Sequence, residues 1–265
     1  MSWLSFAAMK LAMIGKGAIA RYVMSGLSAR GHHLGAVIVR TGTGSAGVPE
    51  VASAADVPDD TDIVIDCAGH QALAAHGPEI LTRGIDMITV SIGALANPKT
   101  ADALENAAKT GHSKLFLASG AIGALDCLSA ARAGKLASVT YTSRKPPVGW
   151  KGSPAEHKLN LDNMTGGPET HFEGTAREAA LSYPKNANVS AAVALAGLGF
   201  DDTRVRLIAD PATEQNVHEV EASGDFGTFR FQISGNALPD NPRSSALAAM
   251  SILAKLDQIA ARVSL

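Results

Sequence analysis

The run Gly15-Lys16-Gly17-Ala18-Ile19-Ala20 restricts what this chain can fold into more than any other feature of its sequence. It fits a G-x-G-x-x-A pattern, which is weak evidence alone and meaningful between a strand and a helix. Here Leu11 to Ile14 reads as a buried strand before it. Ile19, Val23 and Leu27 recur at a near-helical interval after it, and Gly31 stops the helix at Arg30. Such a turn can cradle a dinucleotide pyrophosphate. The first glycine permits the tight turn, the second lets backbone approach phosphate, and Ala20 allows close helix–strand packing. The helix N-terminus adds N–H donors and the positive end of its dipole. Gly15, Gly17, Ala18 and Ile19 are therefore candidate cofactor-binding residues.

The next hundred residues continue in the same grammar. Leu34 to Val39, Ile63 to Cys67, Asp86 to Val90 and Leu115 to Ala118 read as short apolar strands. Leu73 to Arg83 and Thr100 to Thr110 read as helices between them. Continuous apolar strands alternating with helices predict a Rossmann-type doubly wound parallel sheet, an α/β fold. Residues 1–118 form the expected dinucleotide-binding domain, completed by a C-terminal helical segment over 241–265.

Residues 119–240 read differently and are expected to form a second, α+β domain with a mixed sheet. Val139 to Arg144 is a strand, 145–165 is loop-like, and Phe172-Glu173-Gly174 is a turn before a short helix over Ala176 to Leu181. Asn188 to Leu198 is a helix, with Asn188 as its cap and Gly199 as its stop. Arg204 to Ala209, Asn216 to Ala222 and Thr228 to Ile233 alternate like strands, the last two joined as a hairpin. Ser244 to Arg262 is the final helix, expected to return to the first domain.

Composition narrows the function classes. A formal net charge of -2 without a basic block gives no electrostatic footprint for nucleic acid. No apolar run reaches the roughly 18 residues of a membrane span. Met1 to Ala8 lacks the basic and long apolar regions of a signal peptide and is expected to be a short extension, with Met9-Lys10-Leu11 a natural start. The 2 cysteines, Cys67 and Cys127, lie far apart in apolar surroundings, which fits a reducing, cytoplasmic setting. None of the 8 histidines forms a His-x-His or His-Glu-x-x-His pair, so no metal is expected.

Several residues could carry chemistry. An acidic residue at the end of the second strand would bind a ribose 2′-hydroxyl. This chain has Arg40-Thr41-Gly42-Thr43 there, suited to a 2′-phosphate or simply to a solvated loop, so the cofactor is NAD or NADP. Ala68-Gly69-His70 and Ser91-Ile92-Gly93-Ala94 follow parallel strands at their ligand-binding ends. His70 is a catalytic candidate or a structural histidine, whereas His32 and His33 read as surface residues. His218 sits in Asn216-Val217-His218-Glu219-Val220-Glu221-Ala222. Period two puts Asn216, His218, Val220 and Ala222 on the covered face, where a histidine serves in acid–base work or as a satisfied core residue. Arg144, Lys145, Thr175 and Arg177 could hold a substrate carboxylate or lie on the surface.

Together these segments resemble the L-aspartate dehydrogenase family. The resemblance runs from Lys10 to about Leu256 and rests on the glycine turn together with four other groups of motifs. These are Ser119-Gly120-Ala121-Ile122-Gly123, Thr142-Ser143-Arg144-Lys145-Pro146-Pro147, Phe172-Glu173-Gly174-Thr175-Ala176, and the pair Pro184-Lys185-Asn186-Ala187-Asn188-Val189 and Asn216-Val217-His218-Glu219-Val220. It implies NAD(P)-dependent oxidative deamination of L-aspartate through iminosuccinate to oxaloacetate and ammonia, a reversible reaction. It implies His218 as the catalytic histidine and Ala121, Ile122 and Asn188 as cofactor contacts, beside Ala68 and Gly69. It leaves Arg144, Lys145 and Thr175 as candidates for the substrate. Lys16 departs from the small residue or cysteine expected at its position. A homodimer is expected, since symmetric dimers are the commonest soluble oligomers, with neither nucleic acid nor membrane as a partner. Dihydrodipicolinate reductase or homoserine dehydrogenase chemistry, or a non-catalytic nicotinamide-sensing module, are the alternatives.

Overall fold

The computed structural model describes residues 7–40, 47–184, 188–238 and 241–263. Thr41, Gly42 and Thr43, read above with Arg40, lie outside them, as do Lys185, Asn186 and Ala187. In chain order the elements are β1 (Lys10–Ile14), α1 (Ala18–Leu27), β2 (His33–Ile38), β3 (Glu50–Val51), β4 (Ile63–Asp66), α2 (His70–Thr82), β5 (Asp86–Thr89), α3 (Pro98–Gly111) and β6 (Leu115–Leu117). Then come α4 (Leu125–Ala131), β7 (Leu136–Lys145), β8 (Glu169–Thr175), α5 (Ala176–Ser182), α6 (Asn188–Ala196), β9 (Arg204–Ala209), β10 (Asn216–Gly224), β11 (Gly227–Gly235), β12 (Ala237–Leu238), β13 (Asn241–Ser245) and α7 (Ala246–Ala260). The chain divides into two compact units: Met1–Ala94 with Pro98–Ala118 and Ala249–Leu265, and Leu95–Asn97 with Ser119–Ala248.

The first unit is built on a six-stranded parallel sheet in the order β3-β2-β1-β4-β5-β6. This is the Rossmann-type doubly wound arrangement predicted from the alternating strands and helices. Leu11, Ala12, Met13 and Ile14 are all buried, so β1 is covered on both faces. Ala20, Val23 and Leu27 pack the buried stripe of α1 onto this core, and Ile252, Leu253 and Leu256 of α7 join it. Arg30 Nε donates to Asp257 Oδ1 at 2.8 Å, tying the turn after α1 to α7. Gly31, at φ +75°, ends that turn.

His32 corrects a sequence expectation. It is buried, not on the surface: its Nδ1 accepts from the Met9 amide at 3.3 Å as the chain enters β1. His33, one residue on, is exposed as expected.

The second unit holds a five-stranded mixed sheet, ordered β11-β10-β7-β9-β8, in which only β7 and β9 run parallel. The helices α4 and α5 pack on α6, whose Val189 to Ala194 are all buried. Where the turn Phe172-Glu173-Gly174 was expected there is strand β8, and α4 and β13 also went unread. Gly174 serves packing there instead of turning the chain. A Cβ on it would lie 2.9 Å from the Phe172 ring, so the glycine lets that ring fold over its own strand. At the edge of the sheet, β8 carries a bulge between Thr170 and Phe172, which leaves His171 outside the ladder and turned inward.

Candidate active site

In the first unit the glycine turn has the geometry its sequence requires. Gly15 has φ +92°, and its amide donates to Ile38 O at 2.9 Å. A Cβ at Gly15 would sit 2.9 Å from Ala68 Cβ, so only glycine lets the turns after β1 and β4 approach this closely. Gly17 begins α1 with no side-chain cap and no acidic residue in the first turn, and nothing lies within 4 Å of where its Cβ would be. Gly69 opens α2 the same way, at φ +98° and again facing open space. Two uncapped helix N-termini thus flank one bare backbone shelf, with Gly15, Gly17, Ala18, Ile19, Ala68 and Gly69 around it. A nicotinamide dinucleotide fits this cradle: a Cβ would fill the space its pyrophosphate needs, and the helix ends favour anionic phosphate.

Behind the shelf, Asp66 ends β4 fully buried. Its carboxylate accepts from the Ala68 amide at 2.9 Å and from Thr89 Oγ1 at 2.7 Å, and Thr89 Oγ1 in turn accepts from the Ser91 amide at 2.9 Å. Burial raises the Asp66 pKa. The chain after β4 and the chain after β5 are held by this one network. His70 is the first residue of α2, not part of the preceding loop. Arg40 is exposed just beyond β2. Lys16 Nζ lies 3.3 Å from Glu50 Oε1; nothing in the sequence had pointed to Glu50.

The second unit gathers buried polar groups on one sheet face. Along β7, Val139, Tyr141, Ser143 and Lys145 are buried in alternation; on β10, Asn216, His218, Val220 and Ala222 are. His218 stands opposite Ser143, and Val220 opposite Tyr141. The Tyr141 hydroxyl therefore reaches the His218 ring diagonally, with Oη 2.7 Å from Nδ1. Burial, and after it the Lys145 charge, push the His218 pKa down to about 3. Burial holds the Tyr141 phenol well above its ordinary range and lowers Lys145 to about 8. The ring is thus neutral at physiological pH, beside a lysine near the edge of its charged range.

Lys145 continues into an aromatic cluster. Its Nζ lies 5.1 Å from the Trp150 ring centre, a cation–π contact. Trp150 packs edge-on against His171 at 4.4 Å, and His171 Nδ1 lies 3.2 Å from Tyr183 Oη. Tyr183 also packs against Phe172, with ring centres 5.4 Å apart, and Asn188 is the first residue of α6. A Cβ on Gly149 would come 3.3 Å from Lys145 Cβ and 3.9 Å from Asn216 Oδ1, so the loop after β7 closes over both residues.

The other candidates do not join this face. Arg144 points to the opposite side of β7 and pairs with Asp210 at 2.9 Å. Thr175 caps α5: its Oγ1 accepts from the Glu178 amide at 3.2 Å, and Glu178 Oε2 accepts from the Thr175 amide at 2.8 Å. Arg177 grips both carboxylate oxygens of Asp201. Ala121 and Ile122 are both buried. Among the described residues, no group of three or more His, Cys, Asp and Glu is placed to hold a metal ion, and no helix is long and apolar enough to cross a membrane.

Tyr141, Trp150 and His171 were missed in the sequence. Tyr141 was legible in principle, since it shares period two with Lys145. His171 was not, because a bulge breaks that period.

Residues 126–259 match the family model described as aspartate dehydrogenase, C-terminal, and residues 15–118 match the homoserine dehydrogenase NAD-binding domain. The chain is 51% identical to the L-aspartate dehydrogenase of Ruegeria pomeroyi, across 99% of this chain and 96% of that protein. It is 44% identical to the L-aspartate dehydrogenase of Cupriavidus taiwanensis, across 96% and 99%. Among solved structures, the aspartate dehydrogenase of Thermotoga maritima superposes with a TM-score of 0.79 at 27% identity, covering 97% of this chain and 99% of that one. A homoserine dehydrogenase from Thiobacillus denitrificans, at 13% identity and TM-score 0.61, shares the fold.

Proposed function

Because this chain belongs to the L-aspartate dehydrogenase family, we propose that the Tyr141–His218 pair and Lys145 are the working groups of its reaction. The protein is an oxidoreductase that uses NAD or NADP to deaminate L-aspartate oxidatively, through iminosuccinate to oxaloacetate and ammonia. The homoserine dehydrogenase match covers only the cofactor segment, so it bears on the coenzyme and not on the substrate.

The observation that carries the reading is the buried, neutral His218 ring held at 2.7 Å by Tyr141. With Nδ1–H donating to Tyr141 Oη, the lone pair on Nε2 is left for proton transfer. Lys145, on the same face, supplies the positive charge that a dicarboxylate needs. Substrate binding then works on both groups. The incoming negative charge offsets the Lys145 cation, so the His218 pKa rises from its depressed value. His218 takes a proton from the substrate ammonium, so that the α-carbon of the neutral amine can be oxidised, and releases it to solvent. It then takes a proton from the water that adds to the imine carbon and returns it to the nitrogen as ammonia leaves. Gly15, Gly17, Ala18, Ile19, Ala68 and Gly69 would hold the dinucleotide, which would supply the hydride acceptor. Arg40, Ala121, Ile122 and Asn188 are further proposed contacts to it. Arg144 and Thr175 are left with structural duties.

The partners are L-aspartate, oxaloacetate and ammonia. A cytoplasmic homodimer without nucleic-acid or membrane contact is the proposed working form. It is supported by two free cysteines and by the commonness of closed dimers.

The test is a spectrophotometric assay of L-aspartate, and of oxaloacetate with ammonia, against both coenzymes. His218→Ala should lose about 10²- to 10⁴-fold in kcat, with coenzyme Kd changed less than about twofold. Near-native turnover in that variant would reject the assignment.

A further inference from the structure

The geometry points to Lys16 as the residue that reads a 2′-phosphate, so that this chain selects NADP over NAD. The inference rests on the cofactor turn proposed above. Lys16 follows β1, and Glu50 begins β3, with β2 between them in the sheet. Strands two places apart are separated by about 10 Å, yet Lys16 Nζ and Glu50 Oε1 are 3.3 Å apart. The lysine side chain therefore reaches across the carboxyl end of β2. That end is where a doubly wound fold binds the ribose 2′ oxygen.

The two partners are not equally placed. Glu50's side chain is 7% exposed and Lys16's is 36% exposed, so Glu50 is the buried partner and Lys16 the one open to solvent. Bonds from Val37 N to Pro49 O at 2.9 Å and from Val39 N to Val51 O at 3.0 Å fix the Glu50 strand against β2. Arg21 Nη1 donates to Lys16 O at 3.2 Å, which steadies the turn itself. Glu50 is thus a positioning residue that sets the direction of Lys16.

A ribose 2′-hydroxyl is ordinarily met there by a carboxylate. Here the Glu50 carboxylate is buried and engaged by Lys16, and Arg40 stands exposed just beyond β2. A ligand at this position meets two cations. A hydroxyl gains little from them, whereas a phosphate dianion gains charge-assisted hydrogen bonds.

Calorimetric titration with the fragments 2′,5′-ADP and 5′-AMP separates the 2′-phosphate from the rest of the coenzyme. The wild-type protein should bind 2′,5′-ADP more tightly. Lys16→Met should weaken 2′,5′-ADP by about tenfold or more and 5′-AMP by less than about twofold, while Lys16→Arg keeps the preference. Equal weakening of both fragments would assign Lys16 to the 5′-phosphate side and overturn the proposal. So would an unchanged preference in Lys16→Met, or a wild type that favours 5′-AMP. If the wild type binds neither fragment, NADH nor NADPH, the cofactor turn itself fails, an outcome distinct from loss of selectivity.

Discussion

The hydroxyl of Tyr141 and Nδ1 of His218 are 2.7 Å apart, with both side chains buried and their ring planes 11° from parallel. The contact runs diagonally between β7 and β10 and commits one nitrogen of the ring. Tyr141→Phe removes the hydroxyl and leaves Nδ1 buried without its partner. The expected cost is about 1–3 kcal/mol of stability and roughly a tenfold fall in kcat/KM as the ring loses its orientation. Urea denaturation and steady-state kinetics measure the two effects separately. An unchanged kcat/KM would show that the hydroxyl does not position the ring.

Lys145 predicts a pH dependence for dicarboxylate binding. Its pKa is lowered to about 8 by burial, so it is charged below that pH and neutral above it. A substrate-like inhibitor such as succinate should bind with constant Ki at pH 6–7. Its Ki should climb by about tenfold per pH unit above about 8. Lys145→Met should weaken binding at pH 7 and flatten the profile. A wild-type Ki that stays level to pH 9.5 would remove Lys145 from the substrate site.

The two glycines of the cofactor turn should respond differently to alanine. Gly15→Ala forces a side chain onto φ +92° and within 2.9 Å of Ala68 Cβ, a strain of about 1–3 kcal/mol. Gly17 has φ -70° and open space around it, so Gly17→Ala should change stability by less than about 0.5 kcal/mol. Its methyl group would instead occupy the space reserved for phosphate, weakening coenzyme binding by about tenfold or more. Thermal melts and coenzyme titration on both variants check this. Full coenzyme affinity in Gly17→Ala would mean the pyrophosphate does not lie there.

Thr175 offers a test of what its side chain is for. As the cap of α5, its replacement by Ala should cost about 1 kcal/mol and leave the L-aspartate KM unchanged. A several-fold rise in KM without loss of stability would return Thr175 to the substrate site.

The sequence by itself determined the parallel sheet, the glycine turn and the face on which His218 lies. These follow from local periodicity: apolar runs bounded by turns, a strand–glycine–helix junction, and the alternation of Asn216, His218, Val220 and Ala222. What lies opposite those residues is not a local property. Tyr141 meets His218 because β7 and β10 pair in one register across 77 residues. The same register makes Lys145 inward and its neighbour Arg144 outward, although as adjacent cations they read alike. His171 turns inward only through a bulge, and Lys16 meets Glu50 only because β3 docks beyond β2. Backbone periodicity is written along the chain, whereas register and strand order arise when distant segments bury their surfaces together, and only the tertiary structure decides them.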